Sequence, residues 1–179
     1  SLENRILQDG TRPVPAAELG GMIEDCDRMA ALIEQILFLA RVEHSPTGLA
    51  SDPLPVREVL EAAQGFFEAA AEEAGVVLQV VGDPAIRVRG DQLLLTRAVH
   101  NLVSNALRHT PKDGWVRLSV EEADGRVDLA VEDNGSGIAA AWVSQLGTPF
   151  VRPPEARPTD SHGLGLAIVK QVAAMLGGR

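Results

Sequence analysis

Residues 100–110 read HNLVSNALRHT, and the placement of their polar side chains constrains this chain more than any other feature. Asn101, Asn105 and Arg108 recur at helical spacing and share one helix face, while Leu102 and Ala106, with Val103 and Leu107 beside them, turn toward a core. Such a helix has an apolar side that must be buried and a polar side able to hold anionic ligand oxygens. An Asn carbonyl oxygen suits a hard cation such as Mg²⁺, and an Arg guanidinium holds phosphate with a planar fork of donors. A capped helix facing solvent would show the same residues, so the decision falls to the glycines downstream. Residues 133–138, DNGSGI, leave an alternating β pattern, and Gly135 and Gly137 let backbone approach a flat ligand where a Cβ would collide. An Asp at the strand end, under such a ligand, can accept a hydrogen bond from an exocyclic amine such as adenine's. Residues 163–166, GLGL, then open a helix, and free N–H groups at a helix start make an anion site. Neither a GxxxxGK[ST] phosphate loop nor a GxGxxG fingerprint occurs.

The 179-residue chain has a formal net charge of −9, which argues against duplex nucleic acid as a partner, because phosphate backbones demand a positive field. Hydrophobic residues make up 45% and aromatic residues only 3%, so the core must be built from Ala, Val, Leu and Ile. Cys26 is the single cysteine, which excludes an intramolecular disulfide and fits a reducing compartment. No apolar run approaches the roughly 20 residues of a membrane span, and no secretory pattern opens the sequence. A soluble polypeptide, or a soluble piece of a longer one, is expected.

Upstream, Ile23, Cys26, Ala30, Ile33, Leu37 and Ala40 alternate steps of three and four as a heptad seam, with a second apolar stripe at Met22, Met29 and Ile36. A helix this broadly apolar, over 22–43, asks for a bundle, and pairing with its twin gives a homodimer. The prolines at 46, 53 and 55 and Gly48 break the pattern. They predict a helical-hairpin segment at 1–46, a linker at 47–55 and a globular domain at 56–179. Within that domain residues 56–74 read as a helix with Val59, Leu60, Ala63, Phe66, Phe67 and Ala70 inward and Gly75 as its C-cap. Residues 76–81 and 86–89 are short β runs, and Asp91 is placed to cap the helix that carries Asn101 and Asn105. Residues 115–120 and 127–131 alternate around Asp124-Gly125 as a hairpin, and residues 163–176 form a last helix with Leu164, Ala167, Ile168, Val172 and Leu176 on one side.

In order along the chain, Asn101-x-x-x-Asn105-Ala106, Asp133-x-Gly135-x-Gly137-Ile138, Pro149-Phe150-Val151-Arg152 and Gly163-Leu164-Gly165-Leu166-Ala167-Ile168-Val169 resemble the N, G1, F and G2 boxes of sensor histidine kinases. That family's ATP-binding domain belongs to the gyrase, heat-shock-chaperone, kinase and mismatch-repair ATPase superfamily. Residues 28–43 look like the second helix of its dimerisation and phosphotransfer hairpin. Phe66-Phe67-Glu68-Ala69 and Val81-Gly82-Asp83 are similar to members that respond to copper, silver and related heavy metals.

The resemblance implies a two-layer α/β sandwich, its mixed sheet covered on one face by helices and preceded by a helical-hairpin remnant. It implies ATP and Mg²⁺ as ligands. Asn105 would coordinate the ion with Asn101 near it, Arg108 would contact phosphate, and Asp133 would read the adenine amine. Gly135, Gly137, Phe150, Gly163, Leu164, Gly165 and Leu166 would line the nucleotide, under a lid at 153–161. The γ-phosphate would pass to a hairpin histidine and on to an aspartate of a response-regulator receiver domain. The chain would then be the cytoplasmic portion of a bacterial inner-membrane sensor.

One position separates kinases from hydrolases on chemical grounds. The hydrolysing relatives place Glu four residues before the metal-binding Asn, as general base for water; here that residue is Asn101, and an amide cannot take a proton. The site is arranged to hold ATP for another nucleophile. The family's phosphoacceptor motif surrounds none of His44, His100, His109 and His162, and Ser161 replaces the glycine that commonly opens the G2 box. The expectation is an ATP-binding kinase core, truncated at its C-terminus and unable to phosphorylate itself. A non-catalytic nucleotide-binding or dimerisation module and a related superfamily ATPase are the other readings.

Overall fold

The computed structural model describes residues 53–151 and 163–178, together with Met29, which is helical and exposed. The hairpin expected at 1–46, the linker up to residue 52 and the lid expected at 153–161 lie outside the described residues. Met29 apart, the described residues belong to the second of two compact units, Leu39–Arg179.

The elements run β1 (Pro53–Pro55), α1 (Val56–Ala74), β2 (Val77–Gly82), β3 (Arg87–Arg89), α2 (Gln92–His109), β4 (Trp115–Ala123), β5 (Arg126–Asp133), α3 (Ala140–Val143) and α4 (Gly165–Met175). One sheet has the order β2-β4-β5, with β2 parallel and β5 antiparallel to β4, so it is mixed as expected. β1 and β3 form a separate antiparallel ladder. The last residues of the expected linker are therefore a strand: Pro53 pairs with Arg89 and Pro55 with Arg87. Proline lacks only the N–H, and a strand with one partner has a side on which that loss costs nothing.

Alternation along β4 sends Val116, Leu118 and Val120 into the core and leaves Trp115, Arg117 and Glu121 on the opposite face. The helices cover the first face: Val56, Val59, Leu60 and Ala63 of α1 and Leu95, Val99, Val103 and Ala106 of α2 join these strand residues in one cluster. On the open face the Arg117 guanidinium lies 4.9 Å from the Trp115 ring centroid and 3.9 Å from Glu132, exposed contacts that contribute little to stability. α1 is tied to β2 by Gln64 Nε2, which donates to the Leu78 carbonyl at 2.8 Å, and by Arg57, which donates to the Gly82 carbonyl. Gly75 closes α1 in the left-handed conformation. The Leu94 N–H donates to Asp91 Oδ1 at 3.0 Å, so Asp91 caps α2 as its position predicted.

Two inward assignments shift. Phe66 and Ala70 face solvent, Phe66 with 69% of its surface exposed, and Ala71 takes the buried place. The adjacent apolar runs Phe66-Phe67 and Ala69–Ala71 leave the phase of the helix open by one residue, and packing on β2 settles it. Phe66 instead stacks on His100 of α2, 4.7 Å between centroids, while Phe67 meets the same ring edge-on at 5.2 Å. Burial there pushes the His100 pKa below the ordinary imidazole value, because desolvation disfavours the charged ring. On α2, Val103 is fully buried and Leu102 only half-buried, which narrows the inward stripe. Among the described residues no helix is long and apolar enough to cross a membrane.

Leu118, with no exposed surface, lies in the core that the sheet shares with the helices. Leu118→Ala should cost about 3 kcal/mol of unfolding free energy through lost transfer and residual cavity. Leu93→Ala, on the exposed side of α2, should stay within about 0.5 kcal/mol. Urea unfolding followed by circular dichroism checks both values.

Candidate functional site

The site is built along one face of α2. Leu95, Val99, Val103 and Ala106 hold the opposite face in the core. This leaves Asn101 and Asn105 half-buried and Arg108 exposed on the outer side, as their spacing predicted. The Asn101 side chain is oriented by its own helix: Nδ2 donates to the Arg97 carbonyl at 2.8 Å. Its Oδ1 is then the atom presented outward, toward α4, where a Cβ at Gly165 would lie 3.1 Å away. α4 packs on α2, and a Cβ at Gly165 would oblige the Asn101 amide to give by a few tenths of an ångström.

The far end of the same helix face receives β5. Asp133 ends that strand, and its Oδ1 accepts the Gly135 N–H at 2.9 Å. The Trp115 N–H donates to Asn134 Oδ1 at 2.7 Å. The Gly135 backbone then runs against the carbonyl of His109, so close that a Cβ would strike that oxygen. Gly137, at φ +69°, faces open space, and Ile138 beyond it is 46% exposed.

A third junction joins Phe150 to Gly163. The Phe150 N–H donates to the Gly163 carbonyl at 3.1 Å, with φ +64° at Phe150 and +70° at Gly163. A Cβ on Gly163 would meet Val151 O at 2.9 Å. The Phe150 ring is 62% exposed. Leu164 behaves differently from its neighbours in the predicted set: its side chain is buried in the core, so only its backbone can face a ligand. Leu166 is half-buried.

The structure thus brings Asn101 to Gly165, Asp133 and Gly135 to the C-terminal end of α2, and Phe150 to Gly163. Asn101 and His109 are separated by eight residues of helix, about 12 Å at 1.5 Å per residue, with Asn105 midway. An elongated ligand laid along this face would meet glycine backbone at both ends and an amide between them. A cleft of about 430 Å³ opens beside Asn101, lined also by Phe67, Leu93, Arg97, His100 and Ser104. Among the described residues no three His, Cys, Asp or Glu side chains cluster as a metal site. Sequence reasoning passed over Asn134 and the His109 carbonyl. Asn134 was visible only as part of a common Asp-Asn-Gly turn, and a main-chain carbonyl leaves no signal in residue type.

Comparison with known proteins places these features together. Residues 90–179 match the model of the histidine kinase-, DNA gyrase B-, and HSP90-like ATPase family. The sensor histidine kinase CusS of Escherichia coli O157:H7 is 38% identical over 152 residues, covering 84% of this chain and 31% of that protein. The probable sensor kinase SilS of Salmonella typhimurium is 32% identical over 184 residues, covering 99% of this chain and 37% of that protein. The chain spans about a third of the length of these relatives. Among solved structures, full-length ShkA in complex with AMPPNP superposes with a TM-score of 0.77 at 27% identity, covering 97% of this chain and 36% of that one.

The two glycines of the DNGSGI run should respond differently to a methyl group. Gly137→Ala meets no neighbour and should cost only the ~1–2 kcal/mol of a left-handed residue. Gly135→Ala must push the loop off the His109 carbonyl and should be the more destabilising of the two, as chemical denaturation of both variants would show.

Proposed function

Since the chain belongs to the histidine kinase-, DNA gyrase B-, and HSP90-like ATPase family, we propose that it works as the ATP-binding kinase core of a sensor histidine kinase. The observation that supports this reading best is the run of α2 from Asn101, against Gly165, to His109, against Gly135. It offers amide oxygens and glycine backbone along a length that suits a nucleotide triphosphate. The residues fit the ligand: a Cβ at Gly135 would occupy the space of the His109 carbonyl, and one at Gly165 would crowd the Asn101 amide.

The adenine end lies at Asp133. With Oδ1 engaged by the Gly135 N–H, Oδ2 is the oxygen left to accept from the exocyclic amine. Gly135 and Gly137 let the purine lie close to the backbone. The phosphate end lies toward α4, where Gly163, Gly165 and the backbone of Leu164 and Leu166 supply N–H groups at a helix start. Asn105, with Asn101 beside it, would hold Mg²⁺ through amide oxygens, and Arg108 adds positive charge for the phosphates. Bound there, Mg²⁺ supplies charge neutralisation for phosphoryl transfer. Asn101 cannot act as a base, so the chain's own residues bind and orient ATP without activating water.

In the whole protein the γ-phosphate would pass to a histidine on the dimerisation hairpin and then to a receiver-domain aspartate of a response regulator. Two copies would pair through residues 22–43. The domain would sit on the cytoplasmic side of a membrane sensor. The wording of residues 66–69 and 81–83, with CusS and SilS among the relatives, points to the branch that answers heavy metals.

Calorimetric titration with a non-hydrolysable ATP analogue, with and without Mg²⁺, tests the site. Magnesium-dependent binding is expected for the unaltered chain. Asn105→Ala and Asp133→Asn should each weaken it on the order of a hundredfold or more, because each removes a charge-assisted contact that nothing else replaces, while the circular dichroism spectrum stays unchanged. Unchanged affinity in either variant would remove that residue from the site.

A further inference from the structure

We infer that Asn134, which need touch no ligand, is a positioning residue that sets the base selectivity of the nucleotide site; this rests on the ATP reading above. The regular β4–β5 ladder ends at the pair Val116 and Asp133. The next pair would be Trp115 and Asn134, and in an antiparallel ladder such residues exchange two main-chain hydrogen bonds. Half of that exchange is present, for the Asn134 N–H donates to the Trp115 carbonyl at 3.3 Å. The other half is made by a side chain: the Trp115 N–H donates to Asn134 Oδ1 at 2.7 Å.

This substitution has a geometric consequence. Because the side-chain oxygen satisfies Trp115, the carbonyl of Asn134 is released from the ladder, and the backbone can leave the plane of the sheet one residue after Asp133. The departing chain is Gly135, which runs against the His109 carbonyl of α2. On the other side Asn134 Oδ1 is seated against the turn before β4, where a Cβ at Gly114 would lie 2.7 Å from it. Asp133 thus stands between two fixed points, the side-chain clamp at Asn134 and the Gly135 N–H held by its own Oδ1. Without the clamp, the chain can continue the ladder through the Asn134 carbonyl, and the Asp133 carboxylate loses its aim. The phosphate end of the site, built on α2 and α4, contains none of these atoms.

The experiment compares affinities for Mg²⁺-ATP and Mg²⁺-GTP by calorimetry, because GTP presents a carbonyl where adenine carries its amine. In Asn134→Ala, ATP affinity should fall about tenfold while GTP affinity holds, so the ATP:GTP ratio collapses by the same factor. Asn134→Asp keeps an acceptor oxygen at the same reach and should restore the ratio. Asn134→Ser, whose hydroxyl falls short of the Trp115 N–H, carries the same test if the alanine variant does not fold. Equal losses for both nucleotides, or no loss, would reduce Asn134 to a structural turn residue and overturn the inference. An unaltered chain that binds neither nucleotide would instead overturn the ATP site on which it rests.

Discussion

The contact on which this site depends is between two pieces of main chain: Gly135, just past the end of β5, and the carbonyl of His109 at the last turn of α2. No side chain mediates it, and none could fit. It locks the exit of the sheet to the end of the helix, so the carboxylate of Asp133 and the amides of α2 are held in one frame. Midway along the same helix, Gly165 at the start of α4 lies against the side chain of Asn101. A helix pinned by main chain at its C-terminal end and met by α4 at its middle leaves its outer face little freedom to move.

That rigidity is inherited from the core. Val99 and Val103, both without exposed surface, bracket Asn101, and Ala106 follows Asn105 directly. Close-packed interiors do not tolerate rotation of a helix about its axis, since every buried side chain would have to repack at once. The angular position of the two amides is therefore decided by the core that α2 shares with α1 and the sheet. Core packing and ligand geometry are here one problem.

Much of this was legible in the residues. The spacing of Asn101, Asn105 and Arg108 predicted a shared face, Asp91 a cap and Asp124-Gly125 a hairpin, and each stands where its local chemistry placed it. Legibility failed where tertiary contact outvoted local pattern. Phe66 and Ala70 belong to runs in which neighbouring residues are equally apolar, so the helix phase came from packing on β2. Pro53 and Pro55 look like linker because proline usually ends regular structure, yet the ladder with β3 asks nothing of their missing N–H groups. Leu164 carries a motif position but sends its side chain into the core, because residue type alone does not separate a backbone role from a side-chain one.

The amide at position 101 can be understood from the helix before any reaction is considered. Its Nδ2 donates to the Arg97 carbonyl one turn back, while its Oδ1 faces the start of α4. A carboxylate in the same place has no hydrogen to donate at neutral pH and would face that carbonyl with a second negative oxygen. It would have to swing away from the helix, toward the space that Gly165 leaves for it. Here the amide stays fastened to its own helix, presents one acceptor and offers no base. The hydrogen bond that makes Asn101 locally comfortable also leaves this position of the proposed ATP site without a general base.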